Sequence, residues 1–180
     1  MKKYNLRALF SESGLFNGLT DEDLDIVEEI VLCRPINPGE YLFKEGAPYD
    51  GLYLICCGKV EVVKVGSSGR EELLVVLERG QVFGEVALFL EEGKRVASAK
   101  GAEKGECYFF PIAVFNEFLN NDHPTAYRMV LSMAKILSKR LDRMNQEIVK
   151  LAENERKESK TDTKQDLTVL KEQLMSSWSF

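Results

Sequence analysis

The chain predicts an α+β protein that is mainly β: an antiparallel β-roll or jelly roll with an N-terminal helix and C-terminal helices, the last of them long. Three observations carry this. Between Leu32 and Phe110, short β-branched and aromatic runs are punctuated by Gly39, Gly46, Gly51, Gly58, Gly69, Gly80, Gly84 and Gly93. On either side of that stretch, apolar residues recur at helical spacing instead. The 180 residues suffice for one domain with a real core plus an appendage.

In chain order, residues 1–12 are read as an N-terminal extension and residues 13–122 as the roll with its flanking helices. From Ser13 to Val31 the pattern is helical. Thr20 followed by Asp21, Glu22 and Asp23 is a good helix start, because a hydroxyl caps the free N–H groups and carboxylates suit the positive end of the dipole. Leu19, Leu24, Val27, Ile30 and Val31 fall near one face. Asn37-Pro38-Gly39-Glu40 fits a type II turn, with proline presetting the first central residue and glycine accepting positive φ at the second. Ser67-Ser68-Gly69-Arg70 fits a hairpin connection between Val60–Val65 and Glu72–Leu77.

After Pro111 the period returns to helical. Ile112, Phe115, Phe118 and Leu119 mark a short amphipathic helix, and Asp122-His123-Pro124 opens a new one. There Val130, Ala134, Leu137, Leu141, Met144, Ile148 and Leu151 are spaced 4, 3, 4, 3, 4, 3. That heptad seam lets two helices pack knobs into holes, so residues 123–151 are read as a homodimerisation helix. One face docking on the chain's own roll is the alternative. Residues 152–180 form a charged tail whose Leu167, Leu170, Leu174, Trp178 and Phe180 supply an apolar end.

The most informative stretch is Phe83-Gly84-Glu85-Val86-Ala87-Leu88, followed by Arg95-Val96-Ala97-Ser98. Gly84 lets backbone approach a ligand closely. The residues after it can open a helical turn whose N–H groups attract an anion. Arg95 offers a planar fork of donors matching two phosphate oxygens. Glu85 only accepts hydrogen bonds, so it suits a ribose hydroxyl and not a phosphate.

This segment resembles the phosphate-binding cassette of the cyclic nucleotide-binding domain, found in Crp/Fnr-type regulators, in regulatory subunits of cyclic-nucleotide-dependent kinases and in gated channels. Leu15-Phe16-Asn17-Gly18-Leu19-Thr20, Gly39-Glu40-Tyr41-Leu42-Phe43-Lys44-Glu45-Gly46, Leu52-Tyr53-Leu54-Ile55 and Gly58-Lys59-Val60-Glu61-Val62 extend the likeness over roughly residues 13–145. The resemblance implies that Arg95 pairs with the cyclic phosphate, that N–H groups near Ala97 and Ser98 complete the cradle, and that Glu85 takes the ribose 2′-hydroxyl. Phe83, Val86 and Ala87 belong to the same cassette, more as packing residues than as contacts. Val96 stands where cGMP-selective members often carry threonine, which favours cAMP over cGMP. Arg140, Met144 and Asn145 lie where the family's long helix can cap the purine. Lys94 replaces the proline of the kinase pattern and is expected to loosen the loop before Arg95.

Composition narrows the classes. At 44% hydrophobic and 29% charged, the chain is ordinary for a globular protein, and a net charge of −5 offers no basic footprint for nucleic acid. Only 29 residues follow Leu151, and from Lys150 to Phe180 six Lys/Arg balance six Asp/Glu, so DNA binding by this chain alone is not expected. No apolar run reaches the roughly 20 residues of a membrane helix, and the cytoplasm is the expected compartment. Cys33, Cys56, Cys57 and Cys107 lack metal-ligand spacing. His123 is the lone histidine, no Gly-Lys-Ser/Thr phosphate loop occurs, and no catalytic set can be assembled. The expectation is therefore a non-enzymatic sensor of cAMP that signals through its last helix to an unknown downstream protein. Its alternatives are a ligand-independent dimeric interaction module or the sensory fragment of a Crp/Fnr-type transcription regulator.

Overall fold

The computed structural model describes residues 5–158. Ten regular elements follow in order: α1 (Leu6–Ser13), α2 (Asp21–Ile30), β1 (Leu32–Ile36), β2 (Tyr41–Phe43), β3 (Gly51–Val65), β4 (Glu71–Leu77), β5 (Val82–Phe83), β6 (Ser98–Pro111), α3 (Ile112–Asn120) and α4 (Pro124–Glu158), with a 3-10 helix at Glu85–Phe89 between β5 and β6. The six strands form one antiparallel sheet ordered β1-β6-β3-β4, with β2 paired to β6 and β5 to β3. The predicted jelly-roll class is what forms. The chain divides into two compact units, Met1–Ile136 and Leu137–Phe180. The tail residues from 159 onward, Leu167 to Phe180 included, lie outside the described residues.

Strand β3 shows why the sheet is the centre of the fold. Its side chains alternate faces with period two. Leu52, Leu54 and Cys56 enter one core with Leu9, Phe10, Val27, Phe115, Met129 and Met133 from the helices and Leu15 from the turn after α1. Tyr53, Ile55 and Val60 enter a second core inside the roll with Ile36, Leu77, Phe83, Ala99 and Phe109. A strand buried on both faces reads as a continuous apolar run. The two short runs expected at 52–55 and 58–62 are in fact one 15-residue strand. Gly58, at φ +79°, carries the chain through an irregular register with β6, so a glycine that looks like a strand break is an irregularity within one strand. The hairpin was legible: Val60 pairs with Leu77 and Val65 with Glu71.

Of the helix expected from Ser13 to Val31, only α2 forms, residues 14–20 being turn and loop, and a separate helix, α1, occupies the residues read as an extension. Asn5 caps α1 by accepting from the Ala8 N–H at 3.2 Å, and Gly14 ends it at φ +69°. Leu9 and Phe10 are buried, each worth about 1.5–3 kcal/mol, so the segment read as an extension contributes to the core. The Thr20 start is confirmed as a reciprocal capping box with Asp23. Asp23 also accepts from the Thr125 hydroxyl and from Arg128 on α4, and Ser132 donates to the Asn17 carbonyl at 3.0 Å. Burial alone would push the Asp23 carboxyl up. The bonds from Thr125, Thr20 and Arg128 outweigh it and hold the carboxyl down at about 2.

Helix α4 has two apolar faces. Ala126, Met129 and Met133 dock on the helical core, with Val130 and Ile136 packed at its edge. This is the docking alternative weighed for the heptad seam, met mainly by residues outside it, with Val130 the seam residue that takes part. Further along the seam, Leu141 is 51% exposed, Met144 58% and Leu151 64%.

Candidate functional site

The site is built where β5 leaves the sheet. Phe83 pairs with Tyr53 of β3 in register and lies against its ring at 5.1 Å, which fixes where the next residue starts. Gly84 then turns at φ +83° into the 3-10 helix. A Cβ built on Gly84 would stand 2.6 Å from Arg95 Nη1, so this glycine is required both by its backbone and by its neighbour. Glu85 (1% exposed) and Ala87 are buried behind the turn, and Val86 is half-buried.

Arg95 reaches this turn because its backbone is tied to the loop before β3. Its N–H donates to the Ala47 carbonyl at 2.9 Å, the Gly46 N–H donates to the Arg95 carbonyl at 2.8 Å, and the Tyr49 N–H donates to the Gly93 carbonyl at 2.8 Å. Lys94 sits opposite Pro48 in an isolated antiparallel bridge. Three backbone hydrogen bonds thus hold the loop on either side of Lys94 against residues 46–49, at the position where the kinase pattern has a proline.

The Arg95 side chain is buried, only 2% of the residue being exposed. Its Nη1 donates to the Gly84 carbonyl at 2.9 Å, and its Nη2 donates to the Gly51 carbonyl at 2.7 Å and to the Asp50 carboxylate. The guanidinium lies 4.0 Å over the Phe43 ring and 4.8 Å from that of Tyr49. Its Nε is buried with no hydrogen-bond partner among the described residues. A permanently charged group in such a place requires a counter-charge. Asp50 supplies one, and an anion at the Nε edge could supply another. Burial raises the Tyr49 phenol above its ordinary range, with Arg95 opposing and Glu85 and Asp50 adding to the rise, so it stays a neutral donor. Tyr53, buried beside Asp50, is pushed up to about 12.

On the far side of Arg95, Val96 is part-exposed and its carbonyl accepts from Lys64 Nζ at 2.8 Å. Ala97 and Ser98 are buried, and the Ser98 hydroxyl accepts from the Glu45 N–H at 2.9 Å. The structure thus places Phe83, Gly84, Glu85, Val86 and Ala87 in one turn and brings Gly84 against Arg95, with Val96, Ala97 and Ser98 running on into β6. Arg140, Met144 and Asn145 lie on α4 in the second unit. Sequence reasoning missed Asp50, Tyr49 and the role of Phe43. Nothing local marks Asp50, since the group it pairs with, Arg95, lies 45 positions on in the chain. Among the described residues no cluster of His, Cys, Asp or Glu could hold a metal, and no helix is long and apolar enough to cross a membrane.

A buried arginine set against a glycine turn inside an antiparallel roll is an arrangement whose donors suit a small anion. The profile of the cyclic nucleotide-binding domain matches residues 33–122, half of the chain, and the chain belongs to that family. It is 36% identical over 105 residues to the cyclic AMP receptor protein of Thermus thermophilus, covering 58% of this chain and 46% of that protein. In structure it resembles the Thermus thermophilus catabolite activator protein (TM-score 0.65, 29% identity, 78% of this chain and 63% of that one). It also resembles the regulatory domain of Toxoplasma gondii PKA, solved with cAMP (TM-score 0.58, 28% identity, 62% of this chain and 42% of that one). The chain thus spans about half the length of the receptor protein it matches.

Proposed function

We propose that this chain is a non-enzymatic regulatory sensor that binds a cyclic nucleotide, cAMP in preference to cGMP, between the Gly84 turn and Arg95. Arg95 pairs with the cyclic phosphate through its Nε edge, N–H groups of Ala97 and Ser98 complete the cradle, and Glu85 accepts from the ribose hydroxyl. Val96 offers no hydroxyl to a guanine. Arg140, Met144 and Asn145 are the candidates for a base cap. The exposed seam of α4 joins two copies into a dimer, and the signal passes along that helix to a partner protein in the cytoplasm, without DNA binding by this chain. The observation that carries the reading is the buried guanidinium with an unused Nε–H beside a glycine that cannot be replaced without collision.

A ligand can drive a full 1:99 to 99:1 shift only by binding one arrangement about 5.5 kcal/mol better than the other. Calorimetry of the purified protein with cAMP and with cGMP, alongside Arg95→Ala, tests the reading. The expected result is cAMP binding that the variant loses.

A second reading has its own support. Arg95 already serves Gly84, Gly51 and Asp50, which gives it a structural use in a roll that needs no ligand. Wild-type protein that gives no heat with either nucleotide, while Arg95→Ala lowers the melting temperature, favours a ligand-independent interaction module.

A further inference from the structure

Arg95 can meet an anion along one edge only. Its Nη1 and Nη2 already donate to the Gly84 and Gly51 carbonyls and to the Asp50 carboxylate, and the rings of Phe43 and Tyr49 lie over its guanidinium. What remains is the buried Nε edge, whose N–H has no hydrogen-bond partner among the described residues. A phosphodiester carries its charge on two oxygens that both seek strong donors, so a donor is needed beside that edge.

Tyr49 is held next to it. The Tyr49 N–H donates to the Gly93 carbonyl at 2.8 Å, the Arg95 N–H donates to the Ala47 carbonyl at 2.9 Å, and Pro48 bridges Lys94 between them. Two paired segments thus carry Tyr49 and Arg95, and the ring centre comes to 4.8 Å from the guanidinium carbon. Burial keeps the phenol protonated, and the charges of Arg95, Glu85 and Asp50 all act on it, so the hydroxyl lies among the charged groups of the site. Its shift comes from burial and from charge, not from a hydrogen bond, and the Asp50 carboxylate accepts from Arg95 instead.

We propose that Tyr49 is a ligand-contacting residue of this site, its hydroxyl donating to an exocyclic oxygen of the cyclic phosphate that Arg95 holds at its Nε edge. A neutral O–H adds a bond to the anion without burying a further ion, whose desolvation would have to be offset. The ring and the hydroxyl have separate tasks, the ring lying over the guanidinium and the oxygen reaching the ligand. The contact rests on the cyclic nucleotide reading above.

Calorimetry of the full chain compares wild type with Tyr49→Phe, which keeps the ring and removes only the oxygen. The ligands are cAMP and the two phosphorothioate diastereomers in which sulfur, a weaker acceptor, replaces one exocyclic oxygen or the other. Tyr49→Phe is expected to weaken cAMP about tenfold, as loss of a hydrogen bond to a charged group does, and to leave the melting temperature of the ligand-free protein unchanged. The same loss is expected with one diastereomer. With the other, whose sulfur replaces the contacted oxygen, the substitution should cost less than about twofold, as a double-mutant cycle requires of two groups in contact. Unchanged or tighter cAMP binding by Tyr49→Phe overturns the contact. A loss that is equal for all three ligands also overturns it, because the hydroxyl then acts through its neighbours and not on the phosphate. Wild-type protein that binds none of the three sinks the sensor reading and this contact with it, an outcome distinct from cAMP binding that Tyr49→Phe leaves intact.

Discussion

Gly84→Ala separates the two reasons for a glycine at the head of the cassette. Its φ of +83° costs an alanine about 1–2 kcal/mol of backbone strain. The added Cβ would also stand 2.6 Å from Arg95 Nη1, where ordinary contact begins at 3.4 Å, so the guanidinium must retreat by the 0.8 Å difference. That movement breaks the 2.9 Å bond to the Gly84 carbonyl, a charged hydrogen bond worth about 1.5–3 kcal/mol. Gly39 is the control. It has nearly the same φ, +82°, with nothing within 4 Å of a Cβ, so Gly39→Ala carries the strain without the collision. At roughly 2–4 °C per kcal/mol, Gly39→Ala should lower the melting temperature by a few degrees and leave nucleotide affinity intact. Gly84→Ala should lower it about twice as far and weaken cAMP binding tenfold or more, since about 1.4 kcal/mol is a factor of ten. Paired melting curves and calorimetry read both effects. Indistinguishable variants would show that Arg95 does not depend on the turn, and the geometry argued for the site would be wrong.

Three further outcomes follow from other parts of the molecule. The Asp23 carboxyl, held at about 2 against an ordinary 3.8, contributes stability that is present above pH 4 and lost as pH falls from about 4 to 2; the contribution is about 2 kcal/mol. Asp23→Asn should therefore flatten the acid limb of the stability–pH curve, and an unchanged limb refutes the assignment. If the exposed seam joins two copies, the wild type should sediment as a dimer, and Leu141→Glu with Met144→Glu, which places like charges along it, should leave a monomer; a variant that sediments like the wild type would remove the seam from dimerisation. Val96→Thr should raise cGMP affinity relative to cAMP in competition binding, and a constant ratio would remove that position from base selection.

The parts legible in the sequence were those whose cause is local. The Thr20–Asp23 cap, the Ser67–Arg70 hairpin and the glycine turn at 84 each follow from residues a few positions apart. What was not legible depends on neighbours distant in the chain. Residues 1–12 read as an extension because a helix there is worth forming only if Leu9 and Phe10 have a core to enter, and they find it on β3 and the late helices. Strand β3 reads as two because the partner that keeps it continuous through Gly58 is β6, more than forty residues away. Asp50 is silent in sequence because its meaning is Arg95, 45 positions on.

Strand β4 carries a consequence of a different kind. It ends the sheet, and Leu73, Leu74, Val75 and Val76 are all exposed along it. Alternation that would normally place polar residues outward is missing, so the strand offers an apolar ribbon whose outer backbone edge is open to pairing. Glu71 and Glu72 before it and Glu78 and Arg79 after it are the charged gatekeepers flanking that ribbon. Those two short charged borders are what oppose edge-to-edge pairing of the ribbon with another chain. Replacing those carboxylates, as in Glu72→Gln with Glu78→Gln, is expected to leave the ribbon open to edge-to-edge pairing, at a segment separate from the candidate site.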